Sequence, residues 1–452
     1  MSVERLLVIG SDAAGMTAAA QARRRRGRDE LEIVAFDRGP HTSVSTCGIP
    51  YFVGDLIHDA DELIVRTVEE FGAAGIDVHV EHEVLAIDVQ ERRLHVRGPD
   101  GERVEPFDQL VIATGATPRR PELPGVRAAG VFGVQTLRDG IALRAAVDSG
   151  AQHAVVVGGG YIGLEMAEAL HRRGMQVCIL DRSEQPMNGL DPDMGALVAD
   201  AIRALGIELH LQVRVESFAT DADGHVTAVH TSAGVFPADF VVLGLGVQPQ
   251  SDLAAAAGIA VGETHGIVTD ARMATSVEGI WAAGDCVEIM HRITNRPVAI
   301  ALGTHANKQG RVVGINATGG SITFPGVIGT AVTKLCEYEV GRTGLSEREA
   351  REAGFTAVSA RIESTTRAGY YPESGPITVK IVADSSSGRL LGAQVIGREG
   401  AAKRIDVLAT AIWNEMTVEE LSQVDLGYAP PFAPVWDPVL IAARKVAAEL
   451  PA

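Results

Sequence analysis

The chain has no paired cysteines. Its four cysteines, Cys47, Cys178, Cys286 and Cys336, are widely separated, and none belongs to a Cys-x-x-Cys or Cys-x4-Cys motif. This absence argues against a disulfide framework and a cysteine-type metal site, so we expect a reducing, cytoplasmic setting and no bound metal. We interpret Cys178 and Cys336 as small buried side chains, and Cys286 as structural too.

Long apolar runs and an excess of positive charge are also absent, and aromatic residues are few. No apolar stretch is long enough to cross a membrane, so we expect no membrane partner. The net charge of −18 argues against nucleic acid as a partner, because phosphate backbones would be repelled. Only 4% of the residues are aromatic, whereas 50 are glycine, a mixture that favours closely packed α/β layers. At 452 residues, the chain is long enough for about three domains.

Two segments of the chain repeat the same pattern of buried strand, glycine turn and helix. The first copy has a strand at 5–10, a helix at 13–26 and a strand at 31–36 that ends in Asp37. The second copy has a strand at 154–158, a helix at 162–173 and a strand at 177–180 that ends in Asp181. The copies are about 150 residues apart, which predicts two separate nucleotide-binding domains.

The second copy carries a complete GxGxxG motif over residues 158–163. Its first glycine permits the tight turn, its second lets the backbone approach a pyrophosphate, and its third lets the helix pack on the strand. Asp181 lies 23 residues after Gly158, where a carboxylate suits ribose hydroxyls and would repel a 2′-phosphate. We therefore expect NADH to be preferred, although the neighbouring Arg182 leaves NADPH as an alternative.

The first copy is imperfect, because Asp12 stands between the outer glycines Gly10 and Gly15. The motif is strengthened by Asp37, by Thr114–Gly115 after another strand, and by the Ala283-Gly284-Asp285 sequence. We expect Asp285 to lie at the mouth of a helix and to accept hydrogen bonds from a polyol such as ribityl. A simple helix N-cap is the alternative for Asp285.

The order of these motifs predicts an interrupted first domain. Residues 1–118 and 248–325 are expected to form one nucleotide-binding domain, and residues 119–247 to form the second. Residues 326–452 change to alternating strand patterns, at 377–383 and 390–396, followed by a helix over 401–415. This last part is predicted to be a separate α+β domain that ends in a rigid, proline-rich tail.

Cys47 is the cysteine most suited to chemistry. It lies in a non-regular segment, followed by Gly48 and Pro50, with the hydroxyls of Ser43 and Thr46 nearby. A helix that begins here would lower the pKa of the thiol. A thiolate beside a flavin can attack a substrate disulfide, or cycle through a mixed disulfide or a sulfenate.

Taken in order, these motifs resemble the single-cysteine branch of the FAD-dependent pyridine nucleotide-disulfide oxidoreductases. Within that branch the chain is most similar to coenzyme A-disulfide reductases. The resemblance implies a glutathione-reductase-like α/β architecture, with an FAD-binding domain, an NAD(P)H-binding domain and a C-terminal dimerisation domain. It also implies a homodimer with shared active sites, in which NAD(P)H reduces coenzyme A disulfide, or a coenzyme A persulfide or polysulfide, through Cys47.

The resemblance also assigns roles to individual residues. The cofactor-binding set comprises Gly10, Asp12, Ala13, Ala14, Gly15, Asp37, Arg38, Val84, Thr114, Gly115, Gly158, Gly160, Tyr161, Ile162, Gly163, Glu165, Asp181, Gly246, Asp285 and Ala301. Tyr161 would cover the nicotinamide face of the flavin, and Glu165 would orient the nicotinamide ribose. Coenzyme A would be held by Gln21, Arg24 and Ser43. Tyr428, with Tyr370 or Tyr371, would reach the thiol from the partner subunit and protonate or stabilise the leaving thiolate.

Three alternatives remain at this point. An NADH oxidase would cycle Cys47 through a sulfenate, but oxidases and peroxidases of the branch carry histidine where this chain has Ala13. An electron-transfer flavoprotein reductase would leave Cys47 with a structural role. A nucleotide-binding regulator would not be reduced by NADH at all.

Overall fold

Two parallel sheets form the nucleotide-binding part of this computed structural model, which describes residues 3–451. The predicted domain limits at residues 1 and 452 lie outside this range. The first stretch of chain contains β1 (Glu4–Ile9), α1 (Ala13–Arg25), β2 (Leu31–Phe36), α2 (Ile49–Val53), α3 (Val68–Ala73), β3 (Asp77–His79), β4 (Glu83–Asp88), β5 (Arg93–Gly98), β6 (Gly101–Pro106), β7 (Gln109–Ile112) and β8 (Ala116–Pro118). Strand β1 pairs in parallel with β2 and with β7, and Leu6, Leu7 and Val8 are fully buried. Burial on both faces explains the unbroken apolar run of this strand.

The second sheet repeats this arrangement. It is formed within a stretch that contains β9 (Val131–Phe132), α4 (Leu137–Asp148), β10 (His153–Val157), α5 (Tyr161–Arg172), β11 (Gln176–Leu180), α6 (Pro192–Ala204), β12 (Glu208–His210), β13 (Val215–Thr220), β14 (Val226–Thr231), β15 (Gly234–Pro237) and β16 (Phe240–Leu243). The strand order is β12-β11-β10-β16-β9, and every neighbouring pair is parallel. Strands β13, β14 and β15 form an antiparallel meander.

The chain then returns to the first sheet. This stretch contains β17 (Val247–Pro249), α7 (Asp252–Ala256), β18 (Ile267–Val268), β19 (Ile280–Ala282), β20 (Val287–Met290), β21 (Pro297–Val298) and α8 (Gly303–Asn316). Strand β17 pairs with β8, and β19 joins β7 to complete the order β19-β7-β1-β2-β3. Helix α8 packs closely on α1, since a Cβ at Gly310 would lie 2.3 Å from the Ala14 carbonyl oxygen. The first sheet is therefore built from two separate stretches of chain.

The last stretch forms an antiparallel sheet covered by helices. Its elements are β22 (Ala331–Leu335), β23 (Tyr338–Gly344), α9 (Glu347–Glu352), β24 (Ala357–Thr365), β25 (Pro376–Asp384), β26 (Leu390–Gly397), α10 (Ile405–Trp413), α11 (Val418–Ser422) and α12 (Pro438–Ala447). The strand order is β22-β23-β26-β25-β24. The helix predicted over 401–415 is a 3₁₀ turn at Ala402–Arg404 followed by α10. Within residues 3–451, no helix is long and apolar enough to cross a membrane.

A buried ion cluster joins the second parallel sheet unit to this antiparallel sheet. Lys380 on β25 is 5% exposed, and its Nζ lies 2.7 Å from Asp193, 2.7 Å from Glu347 and 3.3 Å from Asp191. Asp191 is 2% exposed, and it also accepts a hydrogen bond from the Gln394 side chain at 2.7 Å. Burial acts to raise the pKa of Glu347, but hydrogen bonds from Lys380 and a neighbouring serine hold it at about 2. The cluster fixes the start of α6 against β25.

Replacing Lys380 by methionine should destabilise the protein strongly. The variant leaves the buried Asp191 carboxylate without its cation, and such a loss costs about 3–5 kcal/mol. Thermal unfolding followed by near-UV circular dichroism should show a large fall in the transition temperature at neutral pH. Because the pKa of Glu347 is depressed, its contribution is present above its ordinary value of 4.5 and is lost as pH falls towards 2. The difference between variant and wild type should therefore narrow in acid.

Lys403→Met is the matched control for this experiment. Lys403 pairs with Asp406, but its side chain is 83% exposed, and exposed pairs contribute about 0–1 kcal/mol. An equal effect of the two substitutions would contradict the role given to the buried cluster.

Candidate functional site

The second glycine loop is shaped by contacts that exclude side chains. Gly158 has φ of +105°, and a Cβ there would lie 2.4 Å from the Gly244 carbonyl oxygen. A Cβ at Gly163 would lie 1.9 Å from the Gly158 carbonyl oxygen, so this glycine brings α5 against the end of β10. By contrast, a Cβ at Gly160 would meet no heavy atom within 4 Å. The loop is open at Gly160, where a pyrophosphate would approach the backbone.

Each sheet holds one carboxylate against its glycine loop. Asp181 follows β11 and accepts hydrogen bonds from the Gly159 N–H at 2.6 Å and the Ser183 N–H at 2.8 Å. Asp37 follows β2 and accepts from the Ser11 N–H at 2.8 Å, from the Ser11 hydroxyl at 3.0 Å and from the N–H of residue 39 at 2.8 Å. Both carboxylates are therefore fixed at the strand ends, where ribose hydroxyls are bound in dinucleotide-binding units.

The first glycine loop makes the same contacts in a different sequence. A Cβ at Gly10 would lie 2.2 Å from the Ala113 carbonyl oxygen, and one at Gly15 would lie 2.0 Å from the Gly10 carbonyl oxygen. Ala13 and Ala14 form the first turn of α1. Asp12 is exposed in the cleft between them and the segment that leads to Cys47.

Asp285 does not lie at the mouth of a helix, so the expected position was wrong. The alternative role of Asp285 as a helix N-cap is excluded for the same reason. Asp285 follows β19 and precedes β20, because Gly284, with φ of +89°, turns the chain directly into another strand. Burial raises the pKa of Asp285 to about 6. Within residues 3–451 no side chain or backbone group donates a hydrogen bond to this carboxylate, so its oxygens can accept bonds from a bound polyol.

Thr114 and Gly115 connect the two halves of the first sheet unit. The Thr114 hydroxyl donates to the Gln250 carbonyl oxygen at 2.6 Å, and the Gln250 N–H donates to the Gly115 carbonyl oxygen at 2.9 Å. The exposed Arg38 reaches the side chain of Gln250 at 3.3 Å. These bonds hold the crossing between β8 and β17. Two of the other candidate cofactor residues are half-buried: Val84 on β4 and Ile162 on α5. The remaining two are exposed: Gly246 lies after β16, and Ala301 lies before α8.

Cys47 is exposed and lies in a 3₁₀ turn, Thr46–Gly48, directly before α2. A helical segment does begin here, but the expected lowering of the thiol pKa is wrong. Partial enclosure raises the pKa of Cys47, and the charges of Glu165 and Asp285 raise it further, against a smaller opposing backbone hydrogen bond. The two carboxylates come from different sheet units, so the thiol lies between the two nucleotide-binding units.

Glu165 is held by a residue that the sequence did not single out. The Thr333 hydroxyl, on β22, donates to Glu165 Oε1 at 2.9 Å. Burial raises the pKa of Glu165, and this hydrogen bond acts against that rise. Tyr51 was also missed: it lies one helical turn after Cys47, and its pKa is raised by burial and by Glu165. The spacing of four residues from Cys47 to Tyr51 was the available signal.

Tyr161 begins α5, and its hydroxyl is buried without a hydrogen-bond partner. Burial raises the pKa of Tyr161 to about 12, so the phenol stays neutral, although the nearby Arg342 acts in the opposite direction. A buried phenol without a partner is unfavourable, and a ring at this place can gain by moving when a ligand enters.

The candidate substrate residues lie near the start of the Cys47 segment and along α1. Gln21 and Arg24 are three residues apart on one face of α1. Arg23, Arg25 and Arg26 of the same arginine run bond to other parts of the protein. Arg24 is exposed and, among the described residues, has no such bond. Ser43 has φ of +51°, and its N–H donates to the Ser11 carbonyl oxygen.

The side chain of Tyr370 lies close to Tyr428 and raises the pKa of the Tyr428 phenol. Both rings are exposed, at 48% and 78%. Tyr371 is half-buried and lies near Arg367 instead. The structure therefore brings Tyr370, and not Tyr371, to Tyr428.

Comparison with known proteins places most of the chain in one family. The model of the pyridine nucleotide-disulphide oxidoreductases matches residues 4–310, and the model of their dimerisation domain matches residues 330–438. The chain belongs to the pyridine nucleotide-disulphide oxidoreductase family. The family and the α/β fold with a C-terminal dimerisation domain were both predicted from the sequence, and both are confirmed.

Similar proteins act on sulfur compounds or oxidise NADH. The chain is 39% identical to the NAD(P)H sulfur oxidoreductase (CoA-dependent) of Pyrococcus abyssi, over 97% of each chain. It is 34% identical to an NADH oxidase of Methanocaldococcus jannaschii, over 99% of each chain. The solved structure of an NAD-dependent persulfide reductase from A. fulgidus superposes with a TM-score of 0.96 at 38% identity, covering 98% of this chain and 83% of that one.

The oxidoreductase has residues that suit both cofactors of its family, FAD and NAD(P)H. The open backbone at Gly160 and the fixed carboxylates of Asp37 and Asp181 suit dinucleotides. The Asp285 carboxylate, which has no protein partner among the described residues, suits a chain of hydroxyls. We regard the assignment of each residue to a cofactor as a proposal that follows from this fit.

The other cysteines of the oxidoreductase are not equivalent. Cys286 is fully buried, as its structural interpretation requires. Cys336 is half-buried in the turn between β22 and β23, with φ of +53°, so the expectation of a buried side chain is wrong. Cys178 is also half-buried, so the expectation of a buried side chain is wrong for it too. Its sulfur lies within 4.8 Å of ligand atoms of Glu208 and His210. Burial and the charge of Glu208 raise the pKa of Cys178 to about 12, which makes its protonated thiol a poor metal ligand.

Replacing Glu165 by glutamine should make Cys47 more reactive. The variant removes a negative charge that raises the pKa of the thiol, while the amide oxygen can still accept from Thr333. Iodoacetamide should alkylate Cys47 of the reduced holoenzyme about threefold faster at neutral pH, since one partly exposed charge is worth roughly 0–1 kcal/mol. The pH profile of the alkylation should move to lower pH.

Glu168→Gln, one turn further along α5, is the control because Glu168 is not among the groups that shift Cys47. If both variants alkylate at the wild-type rate, the charge of Glu165 does not reach the thiol.

Proposed function

We propose that the protein uses NAD(P)H to reduce coenzyme A disulfide, or a coenzyme A persulfide or polysulfide, through Cys47. The observation that carries this proposal is the position of the thiol. Cys47 is exposed and lies in a 3₁₀ turn. The charges of Glu165, from one nucleotide unit, and of Asp285, from the other, both raise the pKa of its thiol. A sulfur placed where the two nucleotide-binding units meet, and open to the surface, can pass electrons from a bound flavin to an outside disulfide.

The reaction balances with one nicotinamide per disulfide. The Cys47 thiolate attacks one sulfur of the substrate, forms a new S–S bond and releases the first coenzyme A thiolate, which takes up a proton. FAD supplies the path by which the electron pair of NAD(P)H reaches this mixed disulfide. Cleavage of the mixed disulfide restores Cys47 and releases the second thiol. The net change is NAD(P)H, a proton and a disulfide to NAD(P)+ and two thiols.

The chain's own residues then have separate tasks. We propose that Gln21, Arg24 and Ser43 bind coenzyme A, because Arg24 offers an exposed guanidinium near the start of the segment that leads to Cys47. Asp181, beside its glycine loop, is proposed to favour NADH over NADPH. Because the pKa of Cys47 is raised, its attacking thiolate must be stabilised by a bound substrate. The departing coenzyme A thiolate is proposed to be protonated by a neighbouring acid.

We propose a homodimer in which that acid comes from the other chain. The matched dimerisation domain carries an exposed apolar patch of tyrosines and C-terminal residues: Tyr370, Tyr428, Phe432, Val435 and Trp436, all between 48% and 78% exposed. Patches of this kind mark interfaces. In the dimer, the partner subunit's Tyr428, beside the partner subunit's Tyr370, would lie near the Cys47 sulfur.

The organisation of the chain is proposed on the same basis. Residues 1–118 and 248–325 would bind FAD, residues 119–247 would bind NAD(P)H, and residues 326–452 would form the dimer. The four free cysteines are compatible with a cytoplasmic setting, which we also propose.

The main alternative is an NADH oxidase, favoured by the similarity to the Methanocaldococcus jannaschii protein. The residue at the start of α1 is Ala13, which provides no acid–base group for oxygen chemistry. Oxygen consumption at saturating NADH, compared with turnover of coenzyme A disulfide, separates the two functions.

Cys47→Ser should abolish disulfide reduction and leave the first half-reaction intact. Turnover of coenzyme A disulfide should fall by at least about a thousandfold, as after the loss of other catalytic nucleophiles. Bleaching of the flavin by NADH in an anaerobic cuvette should continue at the wild-type rate, because hydride transfer from NADH to the flavin does not use the Cys47 sulfur.

Cys336→Ser is the control, since Cys336 is half-buried in a turn away from the glycine loops. Full disulfide turnover by Cys47→Ser would overturn the mechanism and favour a carrier-type reductase. Failure of NADH to bleach wild type would indicate a regulator without turnover.

Tyr428→Phe should slow thiol release more than flavin reduction. Loss of a general acid lowers the rate of the step that it protonates by about 10²–10⁴-fold. Oxidation of the nicotinamide does not need this group. Rapid-mixing measurements of the two half-reactions test the difference.

Tyr370→Phe should give a weaker effect of the same kind, and Tyr371→Phe should behave like wild type, because Tyr370, and not Tyr371, is the neighbour that raises the pKa of Tyr428. Equal slowing of both half-reactions by Tyr428→Phe would contradict the role of this tyrosine.

A further inference from the structure

Asp12 takes the place in the first glycine loop that Gly160 takes in the second. The two residues have nearly the same backbone, with φ/ψ of −101°/−156° at Asp12 and −84°/−169° at Gly160. Both are extended conformations that any residue adopts, so the aspartate causes no backbone strain. A Cβ at Gly160 meets nothing within 4 Å. The side chain of Asp12 therefore enters the space that the second glycine of such loops leaves for a pyrophosphate.

A negative charge at this place opposes the binding of an anion. The side chain of Asp12 is open to the cleft, but the protein around it still raises the pKa of Asp12 to about 6. Repulsion from Asp37 contributes to the rise, although the Val44 N–H acts against it. Among the residues that the structure describes, no basic side chain offsets this repulsion. Gly284 lies against Ala14 in the first turn of α1, which brings the Asp285 carboxylate to the same end of the cleft. A phosphate would add a further negative charge to this group of carboxylates.

Asp12 also fastens the loop to the segment that carries the thiol. Its Oδ1 accepts a hydrogen bond from the Val44 N–H at 2.9 Å. The Thr42 hydroxyl and the Ser43 N–H both donate to the Ser11 carbonyl oxygen at 2.8 Å. Of these three bonds, only that of Asp12 involves a group whose charge can change. A neutral carboxyl keeps one oxygen as the acceptor for Val44, and its hydroxyl becomes a donor.

We propose that Asp12 is a positioning residue that is neutral when FAD is bound, with one oxygen holding the Val44 N–H and the other presenting a proton towards the anionic part of the cofactor. The proton is taken up from solvent as FAD binds. The residue thereby connects occupancy of the flavin site to the position of the chain that leads to Cys47. The inference depends on FAD binding and not on the identity of the disulfide.

The first test is the pH dependence of FAD release from the holoenzyme. The dissociation constant is measured by the rise of flavin fluorescence on dilution, for wild type and Asp12→Asn. Because the bound state holds the extra proton, wild-type affinity should fall by up to about tenfold per pH unit as pH rises above about 6. The neutral amide of Asp12→Asn should remove this part of the slope and bind FAD more tightly than wild type at alkaline pH. Asp285 titrates in both proteins, so the difference between the profiles reports Asp12.

The second test concerns Val44 and uses Asp12→Gly, which reproduces the residue found at Gly160. This variant loses both the charge and the acceptor. Hydrogen exchange of the Val44 amide in the holoenzyme should become several-fold faster, whereas Asp12→Asn should exchange like wild type. Identical pH profiles for wild type and Asp12→Asn would overturn the neutral state. Val44 exchange that is the same in all three proteins would overturn the positioning role. Neither measurement uses disulfide turnover, so both results are independent of the proposed function.

Discussion

The site depends on one kind of contact, the close approach of a glycine in the first helical turn to the carbonyl oxygen that ends the preceding strand. Gly15 meets the Gly10 oxygen, and Gly163 meets the Gly158 oxygen, at distances that leave no room for a Cβ. Since each contact sets a helix start beside its strand end, the loop N–H groups can bind Asp37 and Asp181. The repetition of this geometry makes two similar nucleotide sites in one chain. Everything else in the site is arranged around these two loops.

The third domain does more than provide a surface for a partner. Thr333 on β22 reaches Glu165, and Lys380 on β25 is enclosed by Asp191, Asp193 and Glu347. These contacts attach the second nucleotide unit to the antiparallel sheet at both α5 and α6. A buried ion cluster is weak support for stability as such, but breaking it is costly. Together, the Thr333 bond and the ion cluster fix Glu165 and the start of α6 relative to the antiparallel sheet.

The sequence predicts the strands and glycine turns well, because each depends on residues that are neighbours in the chain. The strand at 31–36 is reproduced at Leu31–Phe36, and the helix expected from residue 162 begins at Tyr161. The Thr333–Glu165 bond joins residues 168 positions apart, and no local pattern indicates it. The expectation of a helix at Asp285 was wrong for a related reason. Strand β20 is short and pairs with β18 and β21, so its stability comes from tertiary pairing and not from its own sequence.

The pKa of Cys47 shows why local reasoning gave the wrong sign. A thiol at a helix start is expected to ionise easily, but this argument counts only the peptide dipoles of its own segment. Here partial enclosure and the charges of Glu165 and Asp285 raise the pKa of Cys47 by more than its own segment lowers it. Both carboxylates come from distant parts of the chain. With Asp12 and Asp37 also nearby along the cleft, the protein's own side chains make this region electronegative. In the proposed reaction, a thiolate at Cys47 would therefore obtain its stabilisation from groups that arrive with the substrate or with the second subunit. On that proposal the reactivity of Cys47 depends on assembly and binding, and the raised pKa favours a protonated thiol that is less open to oxidation when no substrate is bound.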